Sequence, residues 1–485
     1  MTLSYIPSDT NDEGILKATA SGSLPNGKPV VVNANGTVSA VAETTVTQSS
    51  GTPVTFEAAL SYSISAAYDS ANNKVVIAYR DGGNSGYGTA VVGTTNASNN
   101  SISFGTPVVF ESANTTRTAT TYDVNAGKML ISYNDDANSG RLTAIVGTVS
   151  GTGISFGTAV VVDSLTSVND IASTYDANAQ KVVLVGTLGG SPSAFVSTIN
   201  NTSVSFGSRV AYGGSGRSTN KITYDANAQK VVVLYRDGSS ANQGRARVGT
   251  VSGTSISFGA EATFQNSGTD DLSIDYDANA QKVVVAYEDS SSSNNGTAIV
   301  GSVSGTTISF GTKAVFNAGS AANSTVVYDS SAQRVAIFYR DASPFYGKVV
   351  SGNVSGTSIT FTTATTFQSS RAESFGGTYD ANAERVVLAY RDYAAVTGDA
   401  VVFTTGFTTI NLTAENYIGI STGGTYASGS TATVKIIGNT SNDQSSLTAG
   451  QSYFVQTNGT IGTTAGDPSV FAGTAISATK LIVKT

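Results

Sequence analysis

The stretch Tyr276-Asp277-Ala278-Asn279-Ala280-Gln281-Lys282-Val283-Val284-Val285-Ala286-Tyr287 decides the fold. It reads as the end of one strand, a tight polar turn and a second strand that is apolar almost throughout. Its Tyr-Asp pair recurs at Tyr68, Tyr122, Tyr175, Tyr224, Tyr276, Tyr328 and Tyr379, with spacings of 54, 53, 49, 52, 52 and 51 residues. Two further strands complete the copy. Gly296 to Val303 forms one, and Ile308-Ser309-Phe310 through Gly311 to Phe316 forms the other, after the turn Ser304-Gly305-Thr306-Thr307. Four short strands in a unit of about fifty residues, repeated between four and eight times, is the pattern of a β-propeller.

Seven copies predict seven blades. The continuous apolar second strand (Val75-Val76-Ile77-Ala78-Tyr79, Val231-Val232-Val233-Leu234-Tyr235) suits a position covered on both faces by neighbouring blades. A stacked solenoid is the competing architecture, but it needs capping repeats, whereas the ends of this repeat region complement each other. The seventh copy has Ser374 to Tyr379, Val386 to Tyr390 and Ala400 to Thr405 but no fourth strand. The missing strand stands at the front, where Gly51-Thr52-Pro53-Val54-Thr55-Phe56-Glu57 matches Gly105-Thr106-Pro107-Val108-Val109-Phe110-Glu111. Closing the ring with it removes an open sheet edge.

The expected architecture is therefore all-β. It comprises an attachment segment (1–50), a seven-bladed propeller (51–407) and a C-terminal β module (408–485), the two flanks forming a small β module. Leu24 to Thr37 and Leu447 to Thr460 both read as a strand, an Asn-Gly hairpin and a return strand, jointly or as two modules.

The composition excludes several chemistries. The 485 residues include no His, no Cys and no Trp, so Ser-His-Asp or Cys-His catalysis, Cys/His zinc sites and disulfides are ruled out. A net charge of -7 offers no basic field for nucleic acid. No stretch is apolar for the length of a membrane span, and Met1 to Gly22 lacks the pattern of a secretory leader. No cofactor is expected. The Asp-Ala-Asn-Ala turns at Asp176, Asp225, Asp277 and Asp380 could suggest calcium loops, but one carboxylate per turn is too few for six to eight oxygen ligands. The turn-capping role of Asp accounts for them.

One set of connections is uniform and the other varies. Five residues before each Tyr of Tyr-Asp stand Ser63, Arg117, Asp170, Thr219, Asp271, Asn323 and Ser374, which equivalence in a ring directs towards a common axis. Arg217, Asp270, Arg371 and Glu373 are close in sequence, and the other connection on that face carries Tyr87, Phe345, Tyr346 and Tyr393. Sugars are held by aromatic stacking and by hydrogen bonds from Arg, Asp and Asn, so this is the candidate ligand surface. The alternative is that polar loops simply drift. The recurrent Tyr-Arg-Asp (Tyr79-Arg80-Asp81, Tyr235-Arg236-Asp237, Tyr339-Arg340-Asp341, Tyr390-Arg391-Asp392) is read as blade-to-blade pairing, because a catalytic constellation is normally singular; Gly186-Thr187-Leu188 departs from it. A glycosidase would need two suitably spaced carboxylates on the variable face.

At the C-terminus, Leu447 to Thr457 followed by Gly473 to Val483 resembles a module of tailed-phage virion proteins, especially those of aquatic phages, and Gly27-Lys28-Pro29-Val30-Val31-Val32-Asn33 is similar to phage structural proteins too. The resemblance covers about a tenth of the chain and includes no catalytic motif. It implies a non-enzymatic tail or capsid appendage, made in the host cytoplasm and located in the virion. Its partners would be other virion proteins, a host surface glycan or receptor, and other copies of itself in a homo-oligomer. The alternative expectation is a non-viral bacterial lectin or adhesin on the same propeller.

Overall fold

The computed structural model describes residues 14–166, 168–466 and 468–484. They form strands throughout, with a single 3-10 turn at Asp136–Asn138 and no α-helix. Among them no helix is long and apolar enough to cross a membrane. The chain divides into two compact units, Thr47–Gly406 and the flanks on either side of it.

Within Thr47–Gly406 every Tyr-Asp copy builds the same antiparallel sheet. In the first, Ser61–Asp69 pairs with Lys74–Asp81, which pairs with Tyr87–Asn96, and along the outer edge of the latter lie Ser101–Phe104 and the beginning of Val108–Asp123. The second strand is buried on both faces, Val75 to Tyr79 having no exposed surface. Each Asp of Tyr-Asp accepts hydrogen bonds from the turn that follows: the Asp277 carboxylate takes the Ala280 N–H at 2.9 Å and Asp225 that of Ala228 at 2.9 Å. These turns carry no ligand set. Among the described residues no group of three or more carboxylates is placed to hold a metal.

Successive sheets are stitched by the repeat's own residues. The Tyr hydroxyl of one copy accepts the N–H of the preceding copy's turn, as in Asn178 N to Tyr224 at 3.1 Å, Asn227 N to Tyr276 at 3.1 Å and Asn279 N to Tyr328 at 3.1 Å. The series returns to its start, because Asn382 N, in the last copy, donates to Tyr68 of the first at 3.1 Å. At six seams an aromatic of the outer strand also packs against the second-strand tyrosine of the next copy, as in Phe110 on Tyr133 and Phe56 on Tyr79, both at 5.1 Å between ring centres. Gly186 replaces that tyrosine in the third copy, and Val162 replaces its aromatic partner. Both members of the pair change together, so the departure from Tyr-Arg-Asp is a local repacking.

The outer edge of the seventh sheet is filled from the front of the chain. Val54–Glu57 pairs with Gly398 to Ala400, and Ser49–Ser50 pairs with Thr404 and Phe403. The Gly51 N–H donates to Val402 O at 2.8 Å, as Gly105 donates to Val92 O at 2.9 Å in the first sheet.

In the flanking unit, one five-stranded sheet interleaves both ends of the chain in the order Ile15–Thr19, Thr431–Lys435, Tyr417–Thr422, Pro29–Val32, Val38–Ala40. A second, built only from the C-terminal part, contains Ser452–Val455, Ile461–Gly462, Phe471–Ser477 and Lys480–Val483. The two hairpins expected from their Asn-Gly sequences close in the same way, with Asn33 N to Thr37 O at 2.9 Å and Gln456 N to Thr460 O at 2.8 Å. Val31, Tyr417 and Ile420 share a core with Tyr453, Val455 and Leu481, and a second cluster of Ala20, Leu24, Val30, Val38, Ala432 and Val434 also joins both ends of the chain.

Candidate functional site

Every first strand is interrupted by a bulge just before its Tyr-Asp end. In the first copy Tyr62 pairs with Arg80 and Ser65 with Ala78, leaving Ser63 and Ile64 opposite Tyr79 alone. The same shift occurs between Thr116 and Ala119, Asn169 and Ala172, Ser218 and Lys221, Asp270 and Ser273, Ala322 and Thr325, and Glu373 and Gly376. The bulge-forming residues are Ser63, Arg117, Asp170, Thr219, Asp271, Asn323 and Ser374, with φ between 47 and 57°. Non-glycine residues visit this left-handed region at a cost, and such strain together with bulging re-aims a side chain.

All seven line one cavity of about 670 Å³. Ile64, Ile171, Leu272 and Phe375 add an apolar lining, and Lys221, Asp270 and Glu288 further charge. The volume falls in the range of small-molecule sites, and its lining is rich in hydroxyl and carboxylate groups, with Arg117 the single guanidinium.

The cavity's polar groups are partly engaged. The Asp170 carboxylate accepts the Thr219 N–H at 2.9 Å. Glu288 accepts Ser320 Oγ at 2.7 Å and the Ala321 N–H at 3.1 Å. Asp270 forms an ion pair with Arg236 of the preceding copy. Asp271 is pushed above the ordinary carboxylate range, chiefly by burial and further by Asp270, against the Asn323 N–H, Lys221 and Arg340. Lys221 is lowered by burial, with Asp170 and Asp271 pulling it back. Arg117 is exposed and has no ion pair among the described residues, leaving its guanidinium available to a ligand.

Of the eleven candidates read from sequence, Arg117, Asp170, Asp270 and Asp271 meet in the cavity; Arg217, Arg371, Glu373, Tyr87, Phe345, Tyr346 and Tyr393 do not line it. Arg217 is a correction, because it packs over Tyr235 at 5.3 Å and pairs with Asp237 at 3.2 Å and Glu261 at 3.3 Å, which makes it internal structure. Tyr87 and Tyr346 open third strands and are half-buried, Tyr346 in register with Arg371. Phe345 and Tyr393 are exposed, at 43% and 47%, and their ring faces carry guanidinium groups.

Sequence reading missed Lys221 and Thr325, three residues before Tyr224 and Tyr328. The alternation of a strand would have found them once the bulge was known. It also missed Glu288, which occupies the Arg position of Tyr-Arg-Asp in the fifth copy. The blade-to-blade reading of that motif agrees with the geometry: Arg236 meets Asp270, Arg340 meets Glu373, and Arg80 Nε donates to Asn114 at 2.7 Å, each across neighbouring copies.

No family model and no curated protein matches the chain. Solved structures do. The BP39L lectin from Burkholderia pseudomallei aligns with a TM-score of 0.57 at 9% identity, covering 72% of this chain and 98% of that one. A protein of unknown function from Dyadobacter fermentans aligns at 0.44 and 10% identity, covering 75% and 99%, and AofleA from Arthrobotrys oligospora at 0.41 and 9%, covering 70% and 95%. The BP39L lectin is not described as a virion protein, and the phage resemblance gains no support from it. At these identities the likeness speaks to architecture alone, and the chain is an all-β protein with a propeller-like fold.

Proposed function

We propose that this chain is a non-enzymatic glycan-binding protein, a lectin or adhesin on a seven-bladed propeller, and that the cavity of the variable face takes the saccharide. The observation that carries the reading is the convergence of seven strained bulge residues, differing in chemistry from copy to copy, on one cavity of about 670 Å³. A scaffold would need the bulges no more than it needs Ser, Arg, Asp, Thr, Asp, Asn and Ser at their tips. Hydroxyl-rich ligands are recognised by such donors and acceptors beside apolar patches like Ile64 and Phe375. The lectin named among the structural neighbours supports this reading, which places the non-viral alternative ahead of a virion role. Binding without hydrolysis is favoured because Asp170, Asp270 and Glu288 already hold structural partners.

The test is a glycan array followed by calorimetry on the best saccharide. Arg117→Ala and Asp271→Asn are each expected to weaken binding at least tenfold with unchanged melting temperature, and no reducing ends should be released. An array without hits, or variants that bind like the parent, would refute the assignment of the cavity.

A further inference from the structure

Outside the cavity, arginines and aromatic rings alternate across the seam where the sixth, seventh and first copies meet. The Arg80 guanidinium lies 5.1 Å from the Tyr62 ring centre, and Arg391 lies 4.5 Å from Tyr62 and 4.6 Å from Tyr393. Arg371 lies 4.6 Å from Tyr393 and 5.7 Å from Phe345, and Arg340 lies 5.6 Å from Phe345. Four guanidinium groups are thereby held against three rings. Only one carboxylate is ion-paired with them among the described residues, Glu373, which pairs with Arg340, with Arg371 at 2.5 Å and with Arg391 at 3.7 Å. The neighbouring acids are committed elsewhere. Asp392 accepts from Gln368, Ser370 and the Ala394 and Ala395 N–H groups, Asp341 pairs with Lys348 at 2.9 Å, and Asp81 accepts the Gly83 and Asn84 N–H groups.

This seam concentrates positive charge in a chain whose net charge is -7. Arg340 Nε and Arg391 Nε are buried and have no hydrogen-bond partner, while the Arg371 side chain is 42% exposed. Phe345, which separates Arg340 from Arg371, holds φ 70°, a backbone rarely taken by a bulky residue. Ring faces occupied by guanidinium planes cannot stack on a sugar, but they fix those planes; Arg371 Nε and Nη2 hold Glu373 at 2.7 and 2.5 Å, which leaves its Nη1 edge to an oxyanion.

We infer that the arginine–aromatic seam, through Arg371 between Phe345 and Tyr393, binds the carboxylate or sulfate substituent of an acidic saccharide. The saccharide class rests on the glycan-binding reading above. A densely charged polymer is disfavoured, because Asp170, Asp270, Asp271 and Glu288 line the neighbouring cavity against only Arg117 and Lys221. The ligand is therefore a sugar chain with sparse negative charge.

The experiment uses the full chain and two matched pairs of probes: a galacturonic acid disaccharide with its methyl ester, and lactose carrying one sulfate with plain lactose. Affinities are measured by titration at low and at physiological salt. The charged member of at least one pair should bind about tenfold more tightly than its neutral partner, and the pair that responds separates carboxylate from sulfate. The preference should shrink with salt. Arg371→Gln should abolish it without lowering the melting temperature, and Phe345→Ala should weaken it. No preference in either pair, or a preference that survives Arg371→Gln, would overturn the inference. A failure of the cavity assignment reads differently, as neutral saccharides that never bind while the charge preference persists.

Discussion

Gly51→Ala tests whether the front of the chain closes the last sheet. Gly51 lies on the strand that completes the seventh copy, and a Cβ there would sit inside the van der Waals radius of the Asn100 carbonyl oxygen, in the turn of the first copy. Gly105, Gly157, Gly207, Gly259 and Gly311 face the corresponding carbonyls of Thr152, Thr202, Thr254, Thr306 and Thr357, so neighbouring copies approach through a glycine each time. Restoring an ordinary methyl-to-oxygen separation requires the two backbones to part by about 1 Å or more. Overpacking of that kind costs about 1–3 kcal/mol. Gly105→Ala, inside the repeat region, supplies the scale for an interface that certainly forms. Gly153→Ala supplies the baseline, because its Cβ would meet only Ser150 O at 3.7 Å and the change should be neutral or stabilising by up to about 1 kcal/mol. Guanidinium unfolding can be followed by the fluorescence of the 22 tyrosines, with no tryptophan to mask it. Comparable losses for Gly51→Ala and Gly105→Ala are expected; a Gly51→Ala protein as stable as Gly153→Ala would refute closure by this strand.

Tyr68→Phe removes the hydroxyl that accepts the Asn382 N–H and donates to Asn73 at 2.8 Å, and should cost at least the about 0.5–1.5 kcal/mol expected of Tyr224→Phe at an internal seam; chemical denaturation of the two variants checks this. Asp275 is half-buried and its carboxyl is pushed from 3.8 up to about 6, mainly by desolvation, while it accepts the Tyr328 N–H at 2.7 Å and the Tyr276 N–H at 2.8 Å. The folded protein thus holds this proton more tightly than the unfolded chain, so its contribution is fully present below pH about 4 and is lost as pH rises through about 6, a change of about 3 kcal/mol. Asp275→Asn should flatten that part of the stability profile relative to the parent, and identical profiles would show that Asp275 does not titrate this way.

The repeat was legible because Tyr-Asp serves two ends at once. The Asp caps its own turn and the Tyr hydroxyl reaches the neighbouring copy, so both residues return at each copy. The ring of Ser63, Arg117, Asp170, Thr219, Asp271, Asn323 and Ser374 was legible as a variable position at a fixed offset, but its bulge was not. No glycine marks it, and Thr219 or Arg117 at positive φ contradicts local preference, so tertiary packing imposes that backbone. Lys221 and Thr325 were missed for the same reason, since a bulge changes which residues share a face.

The arginine–aromatic seam was only half visible. Arg80, Arg340 and Arg391 were recognised as blade-to-blade residues, but whether a ring offers its face to solvent or to a guanidinium depends on contacts between copies, which no spacing encodes. In the flanks, local hairpins were readable. The pairing of Pro29–Val32 with Tyr417–Thr422 is set by a core assembled from both ends of the chain.

The most direct test of the central claim is a crystal structure of the chain with the best saccharide from the array. Sugar hydroxyls bonded to Arg117, Asp170 or Asp271 inside the cavity are the predicted result. A saccharide bound elsewhere on the chain, with the cavity holding only water, would contradict it.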